Sequence, residues 1–193
     1  MIKNKKDYLH YLNEDQKATG AYTKHPILNN NIMILLTDPC WKFQKLLRKL
    51  EYWTNCKNRH IWKIYIFYLR FKFQLFSMIL GYTMPINVFE EGLCIAHYGS
   101  VVISRHAKIG KYCTINSCVN IGGNGSAAKI GDNCYIGPGV KIFNPITIGN
   151  NVKIGANAVV NKSFTEDNII IAGIPAKIVN HIDKDYKVLE KND

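Results

Sequence analysis

Aliphatic residues return every six positions through the middle of this chain: Ile103, Ile109, Ile115 and Ile121, then Ile130, Ile136, Ile142, Ile148, Ile154 and Val160. A helix repeats its faces every 3.6 residues and a half-buried strand every 2.0, so neither produces this beat. Four places after most of these aliphatics stands a small or apolar residue: Ala107, Cys113, Val119, Cys134, Val140, Ile146, Val152 and Ala158. Glycine follows the aliphatic at Gly110, Gly122, Gly131, Gly137, Gly149 and Gly155. A fixed short period of this kind predicts a β-solenoid, in which each turn of chain stacks its aliphatics on the last. The beat slips twice. Nine residues replace six between Ile121 and Ile130, in the loop GGNGSAAK, and eight replace six between Ile95 and Ile103, in AHYGSVV. Counting back from Ile95 gives Phe89 and Thr83, so the first, degenerate coil is expected to begin with Thr83 facing inward.

Before the solenoid the pattern changes. Residues 1–35 show little periodicity and read as irregular, with an Asn-rich patch at Asn29, Asn30 and Asn31. Thr37-Asp38-Pro39 then carries a helix N-cap candidate and an early proline. The run after it puts Trp41, Phe43, Leu46, Leu47, Leu50 and Trp53 on one helical face, with lysines and arginines expected on the other. A second helix, Ile61 to Leu80, is the most aromatic and apolar stretch, and Gly81 ends it. Three readings fit it: a core helix, an interfacial helix on an anionic membrane, or a membrane span interrupted by Lys63, Arg70 and Lys72. The chain thus divides into a helical N-terminal region (1–81), a solenoid (82–179) and a tail (180–193) that reads as a short helix. Its start, MIKNKKDYLHYLNEDQ, lacks the apolar core of a signal peptide.

The net charge of +11 is uneven. Residues 1–81 hold 14 Lys and Arg against 5 Asp and Glu, whereas 82–193 hold 11 against 9. The basic field therefore belongs to the helical region and attracts anions in general; no nucleic-acid motif accompanies it. The six cysteines form no C-x-x-C pair and read as reduced structural thiols, Cys113 and Cys134 filling small inward positions. Six histidines are present, but only His97 and His106 fall within the repeat, so a three-imidazole metal site is not expected. His106 reads as a solvated corner residue. His97 sits in the eight-residue slip, where it is either a backbone-bonded turn residue or a general base titrating near neutral pH.

Taken together, the hexads, GLCIAHYGSVVIS, IGGNG, IGPGVKI, IGANAVVNKSF and IAGIPAKIV resemble the hexapeptide-repeat acyltransferases. Within that family they are most similar to the serine acetyltransferase-like branch associated with surface polysaccharide synthesis. The resemblance covers about Asp38 to Val179. It implies a left-handed parallel β-helix, mainly β, behind a small α-helical region. It further implies a homotrimer, with a dimer of trimers as the larger alternative, and acetyl-CoA as co-substrate in the groove between neighbouring solenoids. His97 would deprotonate the acceptor hydroxyl, which attacks the thioester directly without an acyl-enzyme. Gly122, Gly123, Gly137, Pro138, Gly139 and Ala156 match the family's cofactor contacts, and Lys162 and Lys177 match phosphate partners or are simply solvated. Pro138 has no amide hydrogen to give.

The departures from the family steer the expected acceptor. Ala96 stands where serine acetyltransferases carry an aspartate, Tyr82 where they carry the carboxylate that orients the imidazole, and the GGNGSAAK loop has no histidine. A free amino acid needs fixed charges for its ammonium and carboxylate. The expectation is therefore an O-acetyltransferase acting on a sugar hydroxyl of a surface glycan, sialic-acid-containing ones included, or of its precursor. Glu90, Glu91 or a backbone carbonyl would orient His97, and Tyr82 and Tyr98 would join Glu90 and Glu91 around the acceptor. The basic helices would hold an anionic glycan or contact the membrane periphery through residues 61–80. The expected location is the cytoplasm, with the inner face of the membrane as the further option. Serine acetylation for cysteine synthesis is the second reading, and a non-catalytic β-helix scaffold the third.

Overall fold

The computed structural model describes residues 1–23, 38–57, 60–123 and 125–182. The Asn-rich patch, Thr37 and the expected tail helix lie outside the described residues. Among the described residues three helices come first: α1 (Lys5–Thr23), α2 (Pro39–Cys56) and α3 (Lys63–Leu80), the last preceded by a 3₁₀ turn at His60–Trp62. Fourteen short strands follow, β1 (Tyr82–Thr83) to β14 (Lys177–His181). They form a three-sided parallel β-helix. Side one stacks β1, β3 (Val101–Ile103), β6 (Asn120–Ile121), β9 (Lys141–Ile142) and β12 (Val159–Val160). Side two stacks β4 (Lys108–Ile109), β7 (Lys129–Ile130) and β10 (Thr147–Ile148), extended by single bridges from Phe89 and Phe164. Side three stacks β2 (Cys94–Ile95), β5 (Thr114–Ile115), β8 (Tyr135–Ile136), β11 (Lys153–Ile154) and β13 (Ile169–Ala172), and β14 closes it antiparallel.

The hexad is one side of the prism. Its aliphatic and its small residue both point inward, and every one from Ile103 to Val160 is buried to 5% exposure or less. Burial of each isoleucine contributes about 2 kcal/mol, so the stack is the main source of stability. The glycine after the aliphatic also has a steric cause. At the corners between sides two and three, a Cβ on Gly131 would lie 2.6 Å from the Gly149 carbonyl oxygen, and one on Gly110 2.6 Å from that of Gly131. The same corners carry an asparagine ladder, Asn133 to Asn151 to Asn168, whose members take the left-handed conformation that asparagine tolerates.

Register records both slips. Val102 pairs with Asn120 and Lys141 with Val159, each 18 positions on, but Asn120 pairs with Lys141, 21 on. The longer loop still keeps an inward position, since Ala127 and Ala128 are buried while Gly123, Gly125 and Ser126 are exposed. In the first coil the expected phase is wrong by one residue. Tyr82 pairs with Val101 and Thr83 with Val102, so Tyr82 and Met84 face inward and Thr83 faces out. The corner from Met84 to Phe89 is one residue shorter than its counterpart from Ile103 to Ile109. Counting in sixes across it therefore lands on the wrong face, because a one-residue slip exchanges faces.

The helices cap the first coil. Gln44, fully buried on α2, imitates a neighbouring strand: its amide donates to the Leu93 carbonyl at 2.7 Å and its oxygen accepts from Ile95 N–H at 3.0 Å. That covers the exposed edge of side three. Two expectations fail here. Residues 5–23 are helical rather than irregular, because the buried side of α1 is polar: Tyr11, Glu14, Asp15 and Thr19 leave no apolar stripe to read. Nor are all cations of α2 outward. Arg48 is completely buried, bonded to Asp15 at 2.8 Å, Glu51 at 3.0 Å and the carbonyls of Phe89 and Glu90, with the Tyr11 ring over its guanidinium. One side of α3 packs on this assembly through Ile66, Leu69 and Leu80, and its opposite side is bare. Among the described residues, no helix is long and apolar enough to cross a membrane.

Candidate active site

Each coil turns from side three to side one through a corner, and these corners form a column along the prism. The first holds Ala96-His97-Tyr98-Gly99-Ser100, the bulge that the eight-residue count predicts. Below it come Asn116–Val119, then Gly137–Val140, then Gly155–Ala158. The corners are linked directly: Gly139 N–H donates to the Ser117 carbonyl at 2.9 Å and Asn157 N–H to that of Pro138 at 2.8 Å. At about 4.8 Å per coil, a strip roughly 14 Å long runs from His97 to Ala156. Its middle and lower part is bare of large side chains, with Gly137, Pro138, Gly139 and Ala156 in sequence along it. Pro138 is exposed, and with its carbonyl occupied by Asn157 it offers the ring face. Ala156 is exposed too, and its N–H has no acceptor among the described residues.

His97 is exposed, and its imidazole has no hydrogen-bond partner among the described residues. Its backbone is held instead. The neighbouring Ala96 N–H donates to the Ile115 carbonyl at 3.0 Å, and the Tyr82 hydroxyl donates to the His97 carbonyl, also at 3.0 Å. The inward phase of side one is what brings Tyr82 beneath this corner. Tyr82 is therefore a buried support, packed on Phe43 and touching the Cys40 thiol at 3.4 Å, rather than a surface contact for an acceptor. Burial raises its phenol above the ordinary tyrosine range, so it stays protonated and keeps donating. Tyr98 is exposed beside His97.

Glu90 and Glu91 do not orient His97. They occupy a different corner, between sides two and three, where other groups claim them. Glu90 accepts from the Tyr11 hydroxyl and pairs with the Met1 amino group at 3.0 Å. Glu91 pairs with Lys111 at 2.9 Å. The sequence distance of six or seven residues to His97 corresponds to a full side of the prism, up to about 20 Å.

The remaining expected contacts divide between edges. Gly122 and Gly123 lie at the corner from side one to side two, where a Cβ on Gly123 would sit 2.1 Å from the Ser126 carbonyl oxygen, so the loop tolerates only glycine as built. Lys162 is at that same edge two coils on, its ammonium over the Phe164 ring. Lys177 begins β14, exposed at the far end. His106, in the same edge as Gly122, is exposed and next to Arg105. Side one thus separates two half-sites, one with His97, Pro138 and Ala156 and one with the glycine loop and Lys162.

One acidic residue escaped the sequence reading as a functional group. Asp38 caps α2, its carboxylate accepting from Trp41 N–H at 2.9 Å. Two residues on, the Cys40 thiol touches the Tyr82 hydroxyl at 3.4 Å, and that hydroxyl bonds the His97 carbonyl, so the helix end that Asp38 caps packs under the His97 corner. The cap motif was legible; the packing of this helix end under a corner 59 positions later was not. Cys94 itself is inert, its thiol pushed up to about 12 by burial. Among the described residues, no three His, Cys, Asp or Glu side chains gather as a metal site.

Residues 127–162 match the family described as Bacterial transferase hexapeptide (six repeats). The chain is 35% identical over 94 residues to a serine acetyltransferase of Synechococcus elongatus, covering 46% of this chain and 38% of that one. Its fold is similar to Neisseria gonorrhoeae serine acetyltransferase solved in complex with serine, at TM-score 0.70 and 25% identity, over 91% of this chain and 70% of that one. It is equally similar to Brucella abortus serine acetyltransferase in complex with coenzyme A, at TM-score 0.71 and 25% identity, over 92% and 70%. The alignments span about two fifths of the curated relatives' length. These relatives overturn the expected sugar acceptor and the polysaccharide branch, since they are serine acetyltransferases. The missing aspartates that pointed to a sugar are those of positions 82 and 96 alone. Those two positions are silent about Asp38, whose helix packs under the same corner through Cys40 and Tyr82.

Proposed function

We propose that this chain, built on the bacterial transferase hexapeptide repeat, is an acetyl-CoA-dependent O-acetyltransferase whose acceptor is serine. The observation that carries the reading is the corner column: an exposed, unpartnered His97 at one end of a strip of small residues, its backbone locked from below by Tyr82. The likeness to enzymes solved with serine and with coenzyme A supports the two substrates. The His97 imidazole takes the proton of the serine hydroxyl as its oxygen attacks the thioester carbonyl carbon. Collapse of the tetrahedral adduct breaks the carbon–sulfur bond. The imidazolium then returns its proton to the departing thiolate. Pro138 and the Ala156 N–H line the path of the thioester arm. Asp38 supplies the negative charge that a serine ammonium requires, replacing in space what Ala96 and Tyr82 lack in sequence.

The divided half-sites support a homotrimer. Gly123 and Lys162 stand across side one from His97, so they complete a groove only when the edge of a neighbouring solenoid faces this corner. Asp38 gives a clean test. Asparagine caps a helix as well as aspartate does, so Asp38→Asn removes the charge and keeps α2. In steady-state kinetics the variant is expected to raise the KM for serine about tenfold or more, with the KM for acetyl-CoA unchanged, as for a lost charged hydrogen bond. An unchanged serine KM contradicts the assigned role.

A further inference from the structure

α3 has two apolar faces, and only one is covered. Ile66, Leu69, Phe73 and Leu80 pack against the first coil and α2. On the other side Ile64 is 84% exposed, Phe67 73% and Met78 70%, with Ile61, Phe71, Leu75 and Ile79 continuing the patch. At about 100° per residue, these side chains form one band opposite the packed face. Cations sit on both of its borders: Lys63 and Arg70 along one, Lys72 with Tyr65 along the other. Next to Lys72 and Tyr65 lies a hollow of about 740 Å³ to which α2 adds Lys42, Lys45 and Lys49. There is no aspartate or glutamate anywhere from 52 to 89.

We propose that this face of α3 docks the protein on the surface of an anionic phospholipid bilayer. The helix lies flat, with the isoleucine and phenylalanine band in the acyl boundary, Trp62 and Tyr68 at headgroup level, and the bordering cations on phosphates. Charge decides against a second copy as the occupant. Pairing this helix with itself would set Lys63, Arg70 and Lys72 beside their own copies, with no carboxylate on the helix to neutralise them. An anionic bilayer neutralises all of them at once.

The test is co-sedimentation of the full chain with vesicles of phosphatidylcholine alone and of phosphatidylcholine mixed with phosphatidylglycerol. Binding is expected only to the anionic vesicles, and to weaken with added salt. The variant Phe67→Asp/Phe71→Asp is expected to lower the partition coefficient at least about tenfold. A triple Lys63→Gln/Arg70→Gln/Lys72→Gln variant should lower it about a hundredfold. Both variants alter only exposed side chains, so circular dichroism and the vesicle-free sedimentation coefficient should match the parent. Equal partition of parent and variants overturns the proposal. So does a smaller vesicle-free assembly for Phe67→Asp/Phe71→Asp, which would make the band a contact between copies.

Discussion

Replacing His97 by asparagine should lower the turnover of acetyl transfer by about 10²–10⁴-fold, the usual contribution of a positioned general base. Coenzyme A affinity, read by calorimetry, should stay unchanged. The two outcomes separate because of where the groups lie. The imidazole is at the upper end of the corner strip and has no structural bond to lose among the described residues, whereas the proposed cofactor contacts are backbone and small-residue surfaces two and three coils on. Folding should be unaffected for the same reason. A variant that retains full turnover would make His97 a turn residue and leave the column without a base. A fall in coenzyme A binding equal to the fall in turnover would instead make it a binding residue.

Arg48→Met should cost about 3–5 kcal/mol of stability in urea unfolding, the range for stripping one partner from a buried ion pair. For a chain of this size that is a drop in Tm of about 10 °C or more. Arg48 has 0% exposure and serves five groups at once, two carboxylates, two carbonyls and the Tyr11 ring, which join α1, α2 and the first coil. Its loss leaves Asp15 and Glu51 buried without a counter-charge. Burial already raises both carboxyls above the ordinary range against the pull of Arg48. A carboxyl raised in the folded state stabilises at low pH, and that contribution disappears as pH rises through the raised value. Without Arg48 both should rise further, so the variant should be less destabilised in mildly acidic than in alkaline buffer. Adding Asp15→Asn and Glu51→Gln should recover part of the loss. A cost under about 1 kcal/mol would show that the cluster is solvated in practice.

These residues mark the boundary of what a single sequence discloses. The hexads translated directly into sides of a prism, because each aliphatic has one inward position and Gly110, Gly131, Gly137 and Gly149 each meet a carbonyl of the next coil. Both slips were legible as places of departure, and one of them holds His97. The helical cap was harder. α1 buries a polar face, so no apolar period announces it, and Arg48 looks like any surface cation until Asp15 is brought against it from 33 positions away. The same blindness misjudged the site. Glu90 and Glu91 are near His97 in sequence but a side of the prism away in space. Asp38 is far in sequence, yet the helix it caps packs under the His97 corner, and a carboxylate search confined to the repeat could not find it. Tyr82 took its role from a corner one residue short, which no count in sixes anticipates.

The most direct measurement is the release of coenzyme A thiol from acetyl-CoA by the purified chain, with and without free serine, with the product identified by mass spectrometry. The account predicts serine-dependent release, with O-acetylserine formed in equal amount. A folded protein that binds coenzyme A and releases no more thiol with serine than without it would contradict the account.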